Sequence, residues 1–171
     1  MNGSLARAGL VLASAAALGS SSIPVAHAAG GETGKQRFTV TYDSNRPDAS
    51  PVRAVGPIQG TGTGTEYWVD ADTLAATMSF AAGTVHVTID ITSGTLEFDP
   101  TSCRGHSSFE GTWTLSGLSG AYAEAVGRGS VSQTHRIVGT RINGECQGPE
   151  DGVAPRRSAV RAVLTGTVEL D

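Results

Sequence analysis

The amino-acid sequence predicts an all-β fold, a single antiparallel closed barrel of about eight strands. The first observation is the repeated alternation of apolar and polar residues, which is clearest in the run 85–92. The second is the regular recurrence of turn-forming residues, one group about every ten residues. The third is that no segment shows the period of a long amphipathic helix. This combination is typical of a β-barrel or a β-sandwich.

The individual strands are predicted from the same alternation. The run 52–69 is one bent strand or two, because Gly60, Gly62 and Gly64 share a face, where glycines permit sharp coiling at a barrel corner. Ser93-Gly94 is predicted to be a turn between two strands. In chain order the predicted strands are 35–42, 52–69, 73–80, 85–92, 96–99, 109–115, 130–137 and 158–170.

The last predicted strand indicates how the sheet closes. Its residues from Val160 to Leu170 carry apolar side chains and one glycine on a single face. An apolar strand left at a sheet edge promotes aggregation. We therefore expect it to pair with the first strand, near Val40, and so to close the barrel. An eight-strand barrel has an interior that side chains fill or that holds one small ligand.

The N-terminal segment is predicted to be a signal peptide, residues 1–28. Arg7 supplies a positive charge, an apolar run of about eleven residues ends at Leu18, and Ala26-His27-Ala28 fits a cleavage site after Ala28. The apolar run is too short to span a bilayer as a helix. The expected product is a secreted protein with no membrane span. It consists of one barrel domain, residues 29–171, with a short flexible leader at 29–34.

The charge of the chain restricts its partners. The full sequence has a formal net charge of −4 at pH 7, and removal of Arg7 with the signal peptide leaves about −5. No basic stripe is present. We therefore expect no nucleic acid and no anionic membrane as a partner. The sequence indicates no cofactor and leaves the oligomeric state open.

The two cysteines, Cys103 and Cys146, both follow the predicted cleavage site. In an oxidising exterior an isolated pair most simply forms one disulfide. The bond would join two predicted loops, 100–107 and 143–157. A zinc site built from the two cysteines and His106 is the alternative, but it lacks a fourth ligand and a paired ligand motif.

A glycine-rich stretch follows the strand that contains Trp113. It is predicted to cross tightly back into the sheet, since glycine reaches positive φ without steric cost, with Tyr122 as a plug. This stretch resembles the G-G-T-G-x-[F/Y]-x-x-A-x-G segment of allene oxide cyclase barrel-like and dirigent proteins. Leu118 departs from that pattern, which has a second glycine there. The resemblance implies a barrel, and it carries over no catalytic residue. The matching residues are Gly117, Ser119 (for Thr), Gly120, Tyr122, Ala125 and Gly127.

The residues proposed to carry chemistry are polar side chains on faces that should point inward. Extending the alternation places Glu66 with Trp68, and Gln133 and His135 with Val131. A carboxylate inside a small barrel has its pKa raised by desolvation and becomes a candidate general acid or base. The alternative is a face assignment wrong by one residue across a bulge, which would place all three in solvent. The scattered histidines show no metal-binding pattern.

Three functions remain open from the sequence. The first is binding of a small apolar molecule in the barrel interior. Its pocket would be lined by aromatic and aliphatic side chains: Phe38, Tyr42, Trp68, Met78, Phe80, Trp113 and Leu164. The second is an enzyme of the cyclase or isomerase type, in which the barrel shapes a flexible apolar substrate. The third is a structural extracellular protein with a packed interior. The predicted ligand-binding residues are Tyr42, Trp68, Phe80 and Trp113.

Overall fold

The computed structural model describes residues 32–43, 50–147 and 151–171. Ten strands and no α-helix occur in these ranges, so the described residues include no helix long and apolar enough to cross a membrane. The signal peptide predicted at 1–28 lies outside the described residues. The strands are β1 (Glu32–Asp43), β2 (Ser50–Val55), β3 (Gly60–Trp68), β4 (Thr73–Phe80), β5 (Gly83–Asp99), β6 (Arg104–Gly120), β7 (Val126–Val138), β8 (Thr140–Ile142), β9 (Glu145–Gln147) and β10 (Arg157–Leu170).

Eight of these strands form a closed barrel in the order β1-β10-β7-β6-β5-β4-β3-β2, and β2 pairs back to β1. Every neighbouring pair is antiparallel. The first and last strands pair along their length, from Glu32 opposite Leu170 to Asp43 opposite Ala159. The predicted barrel and its closure are thus confirmed. Strands β8 and β9 form a separate hairpin outside the barrel sheet.

The N-terminal part of the sheet differs in detail from the prediction. Strand β1 begins at Glu32, because the first three residues of β1 pair with the last three of β10. The predicted leader is therefore strand from Glu32 onward, and residues 29–31 lie outside the described ranges. The run 52–69 is two strands, separated by the turn 56–59.

Strand β5 continues through the predicted Ser93-Gly94 turn and reaches Asp99. The register with β6 shifts between Ile91 and Ser93, which leaves Thr92 as an extra residue in a β-bulge. The Thr92 hydroxyl donates a hydrogen bond to the Glu110 carbonyl oxygen at 3.1 Å. A bulge bends a strand without ending it. The hairpin of β5 and β6 therefore extends well beyond the point where the sequence predicted a turn.

The barrel core is built around Trp113. In the register of β6, β7 and β10, this residue lies beside Gly129, and Gly129 lies beside Gly166. The two missing side chains leave room for the indole, since a Cβ on Gly166 would lie 2.7 Å from Trp113 Cζ2. The indole N–H donates to the carbonyl oxygens of Ser130 and Thr165, at 3.0 and 3.2 Å. The largest aromatic residue of the core thus fills a space made by glycines.

The glycine-rich stretch returns to the sheet by a tight turn at 121–125 between the adjacent strands β6 and β7. The predicted break at Gly117 is wrong, because β6 continues to Gly120. Of the three motif glycines, only Gly120 has a positive φ, of 67°. A Cβ on Gly117 would overlap the Tyr122 carbonyl oxygen, and one on Gly127 would lie 2.7 Å from a methyl carbon of Val168. Gly117 and Gly127 are therefore needed for close packing of backbone and side chains. Tyr122 is buried in the core, as predicted.

The two ends of the barrel are different. At the end near Tyr122, here called the closed end, the buried Gln36 amide bonds both backbone groups of Ile58, each at 3.0 Å. Phe80 packs there against Phe38 and Tyr122, with ring centroids 6.4 and 6.2 Å apart. The opposite end, where β3 finishes at Trp68, is called the open end. The closed end is thus filled by packed side chains.

Candidate functional site

A concave apolar space, here called the cup, lies inside the barrel toward the open end. The space inside the cup that a water-sized molecule can occupy measures about 20 Å³, which is room for one water molecule. Its lining residues are Val40, Ser50, Val52, Gly64, Thr65, Glu66, Leu74, Ala76, Met78, Ile89, Gln133, Ala162 and Leu164.

Small side chains create the cup. Gly64, Ala76, Ala162 and Ser50 lie on four different strands, and none reaches the barrel axis. Deeper in the barrel the buried side chains of Phe38, Trp113 and other large residues fill the space. The interior is thus packed toward the closed end and concave toward the open end.

Two of the three candidate catalytic residues, Glu66 and Gln133, line the cup. Glu66 lies on β3 and pairs with Ala76, whereas Gln133 lies on β7 between Phe109 and Ala162. Strands β3 and β7 are four places apart in the closed order of eight strands, so they lie on opposite walls. The carboxyl and the amide therefore enter one apolar space from opposite sides. Both side chains therefore lie on the inward-facing side of the sheet, as the alternation predicted.

Burial raises the pKa of the Glu66 carboxyl above its usual range, because the apolar surroundings disfavour the charged form. Glu66 is the only ionisable side chain among the described residues that line the cup. Glu66 as a whole is nevertheless exposed to solvent, so desolvation acts on only part of its side chain. The cup therefore combines an apolar lining with one carboxyl that holds its proton more firmly than usual.

We expect Glu66→Gln to change how stability depends on pH. In the wild type the folded state binds the Glu66 proton more tightly than the unfolded state does, so Glu66 lowers the free energy of unfolding as the pH rises from its ordinary pKa through the raised one. The variant lacks this loss, and its stability relative to wild type should increase across that interval. Urea unfolding at a series of pH values measures the difference.

The matched control for this experiment is Glu110→Gln, because Glu110 is exposed on β6. Other inward-facing ionisable groups of the open end, Tyr42 and His135, remain in both variants and cancel in the comparison. A difference from wild type that is flat with pH for Glu66→Gln would contradict the desolvated carboxyl.

His135, the third candidate catalytic residue, lies near the cup but does not line it. Its Nε2 and the Ser158 Oγ share a hydrogen bond of 2.6 Å. Desolvation lowers the pKa of the imidazole, and the charge of His106 lowers it further. The ring borders a separate cleft of about 440 Å³, together with Ile137 and Pro155. The structure thus brings Glu66 and Gln133 together and leaves His135 outside their space.

The four predicted ligand-binding aromatics are dispersed. Trp113 and Phe80 belong to the packed core, where Trp113 is 1% exposed. Tyr42 is partly buried near the end of β1. Trp68 is 59% exposed at the end of β3. None of the four lines the cup, whose walls are aliphatic.

Two features of the site escaped the sequence analysis. Ser158 was predicted only as the start of a strand, and its bond to His135 depends on the register between β7 and β10. The aliphatic lining of the cup depends on which strands lie opposite each other. Alternation shows that Leu74 and Ile89 face inward, but only the strand order places them around one space.

The predicted disulfide between Cys103 and Cys146 is confirmed, with the two Cα atoms 5.4 Å apart. Both sulfurs are used in this bond, so the zinc alternative is wrong. Cys103 lies in the turn between β5 and β6, and Cys146 lies in β9. The disulfide therefore attaches the β8–β9 hairpin to the tip of the long β5–β6 hairpin.

Comparison with known proteins finds no matching family model, no matching curated protein and no matching solved structure.

Proposed function

We propose that this barrel binds a small apolar molecule at its open end, with part of the ligand in the cup. The observation that carries the proposal is a concave aliphatic space into which one carboxyl and one amide project. Ligand sites in proteins are typically apolar spaces with a few polar groups that orient the ligand. Because the cup has room for only about one water molecule, most of the ligand would lie above it, toward the solvent.

The chemistry of the lining indicates the kind of ligand. Aliphatic side chains such as Leu74, Met78 and Leu164 favour a hydrocarbon portion. Glu66 and Gln133 supply hydrogen-bonding groups at opposite walls of the cup. A mainly hydrocarbon molecule with one polar group fits this arrangement.

Saturable binding of the neutral fluorescent probe N-phenyl-1-naphthylamine tests the proposal. We expect the probe to bind wild type and to bind Ala162→Phe about tenfold more weakly, because the phenyl ring would occupy the cup. Val55→Phe is the matched control, since Val55 is exposed on β2. Equal affinity for the two variants, or no saturable binding by wild type, would contradict binding in the cup.

A second candidate function is a structural extracellular barrel that binds nothing inside. The packing of large side chains around Trp113 and the small enclosed volume of the cup favour it. Absence of probe binding with wild type would support this candidate.

A cyclase- or isomerase-type activity is favoured by one observation, the raised pKa of Glu66 in an apolar cup. A carboxyl that holds its proton more firmly than usual is a candidate general acid or base. Conversion of an unsaturated epoxide by wild type, lost in Glu66→Gln, would distinguish catalysis from binding alone.

The proposal also covers the location of the protein and its family. We propose secretion after cleavage near Ala28, and the Cys103–Cys146 disulfide is compatible with an oxidising exterior. We further propose that the protein is related to the allene oxide cyclase barrel-like and dirigent proteins. The closed eight-strand barrel and the close-packed motif glycines, Gly117 and Gly127, support it.

A further inference from the structure

A surface depression beside the disulfide, here called the arginine cleft, contains three arginines. It measures about 400 Å³ and lies at the tip of the β5–β6 hairpin, apart from the cup. The lining residues of the two spaces do not overlap. The arginine cleft is lined by Ser102, Cys103, Arg104, Val138, Gly139, Thr140, Arg141 and Arg156.

The disulfide brings two of these arginines to the same place. Arg104 directly follows Cys103, and Arg141 pairs with Cys146 in the β8–β9 hairpin. A backbone hydrogen bond of 2.9 Å, from the Gly139 N–H to the Cys103 carbonyl oxygen, joins the same two segments. Residues 37 positions apart in the chain are thus held together by one covalent bond and one backbone bond.

The Arg141 guanidinium is oriented by the backbone. Its Nη2 donates to the Thr101 carbonyl oxygen at 2.7 Å, and its Nη1 donates to the Gly144 carbonyl oxygen at 3.1 Å. Carbonyl oxygens hold the group without neutralising its charge. Since a guanidinium has five N–H donors, others remain for a ligand.

The charge of the arginine cleft is not balanced by carboxylates of the described residues. Among residues 32–43, 50–147 and 151–171, one arginine forms an ion pair with a carboxylate: Arg157, with Asp43. Arg157 does not line the cleft. The Asp99 carboxylate lies opposite Arg104 in the hairpin register and accepts the Thr101 N–H at 2.8 Å, without forming an ion pair with an arginine of the cleft. Three arginines beside this one carboxylate leave a net positive charge at the depression, which favours an anion.

We propose that the arginine cleft binds a small oxyanion carrying at least two negative charges. The planar guanidinium matches carboxylate and phosphate oxygens with two parallel hydrogen bonds, and such charged bonds are the strong ones in proteins. The proposal is independent of a ligand in the cup.

Isothermal titration at low ionic strength, with the disulfide intact, tests this site with two probes. Pyrophosphate represents phosphate ligands, and citrate represents carboxylate ligands. We expect saturable binding of at least one probe, weakened about tenfold or more by Arg141→Gln and also weakened by Arg104→Gln and Arg156→Gln. Added salt should weaken it further. The tighter probe identifies the class of oxyanion.

Arg53→Gln is the matched control, because Arg53 is exposed on β2 and is not part of the cleft. Amide chemical shifts of wild type give a second measurement that needs no variant. Probe-dependent shifts should concentrate at residues 102–104 and 139–141. Absence of saturable binding of both probes, shifts centred elsewhere, or equal weakening by Arg53→Gln would overturn the proposal.

Discussion

Reduction of the Cys103–Cys146 disulfide is expected to lower the free energy of unfolding by about 4 kcal/mol. The two cysteines are 43 positions apart, and the chain-entropy model gives about this value for such a loop. Domains of ordinary stability have about 5–15 kcal/mol in total, so the loss is large. Urea unfolding of the oxidised protein and of Cys103→Ser/Cys146→Ser measures it.

The location of the disulfide provides a control for this prediction. It lies at the tip of the β5–β6 hairpin and beside the β8–β9 hairpin, outside the core around Trp113. The variant should therefore keep the buried tryptophan fluorescence of the folded barrel. A loss of stability below about 1 kcal/mol would mean that the reduced chain does not gain the expected conformational freedom.

Trp113→Ala is expected to lower the free energy of unfolding by about 4 kcal/mol, the usual range for removing a buried tryptophan. Trp113 is 1% exposed and packs edge to face against Phe38, with ring centroids 6.0 Å apart. Its neighbours Gly129 and Gly166 have no side chains that could move into the vacated space. The cavity therefore remains open. Thermal and urea unfolding measure the loss.

Trp68→Ala is the matched control, because Trp68 is the other tryptophan of the chain and is 59% exposed. We expect a much smaller change in the free energy of unfolding for this variant. Each single variant also leaves one tryptophan as a fluorescence reporter. Similar losses in the two variants would contradict the central role of Trp113 in the core.

Much of the barrel was predictable from the sequence because its strands have one buried and one exposed face. The run 85–92 alternates without interruption, and its valines and isoleucines do point inward. The apolar face of β10 required a partner, and the first strand supplies it. An isolated cysteine pair left few alternatives to one disulfide.

The errors arose where pairing between strands overrides local residue preference. Ser93-Gly94 has the composition of a turn, but continued pairing of β5 with β6 makes this stretch part of a bulged strand. Phe80 and Trp113 were assigned to a ligand pocket because they face inward. An inward-facing residue fills the core or borders an opening according to its position along the barrel axis. Alternation along a strand does not show that position.

The candidate site was predictable only in part for the same reason. The inward face of Glu66 and Gln133 followed from alternation, and their common space follows from the strand order. His135 shares the face of Gln133 but lies farther toward the end of β7, beside a different cleft. Its hydrogen bond to Ser158 joins residues 23 positions apart and leaves no local sequence signal.

The seam between β1 and β10 governs when this protein can fold. Of the ten strands, β1 leaves the ribosome first and β10 last, yet they are direct neighbours. A nascent chain therefore has two unpaired sheet edges until synthesis of β10 is complete. Contacts between such distant parts of a chain form slowly. The barrel can therefore close only after all eight of its strands have been made, when β10 pairs with β1.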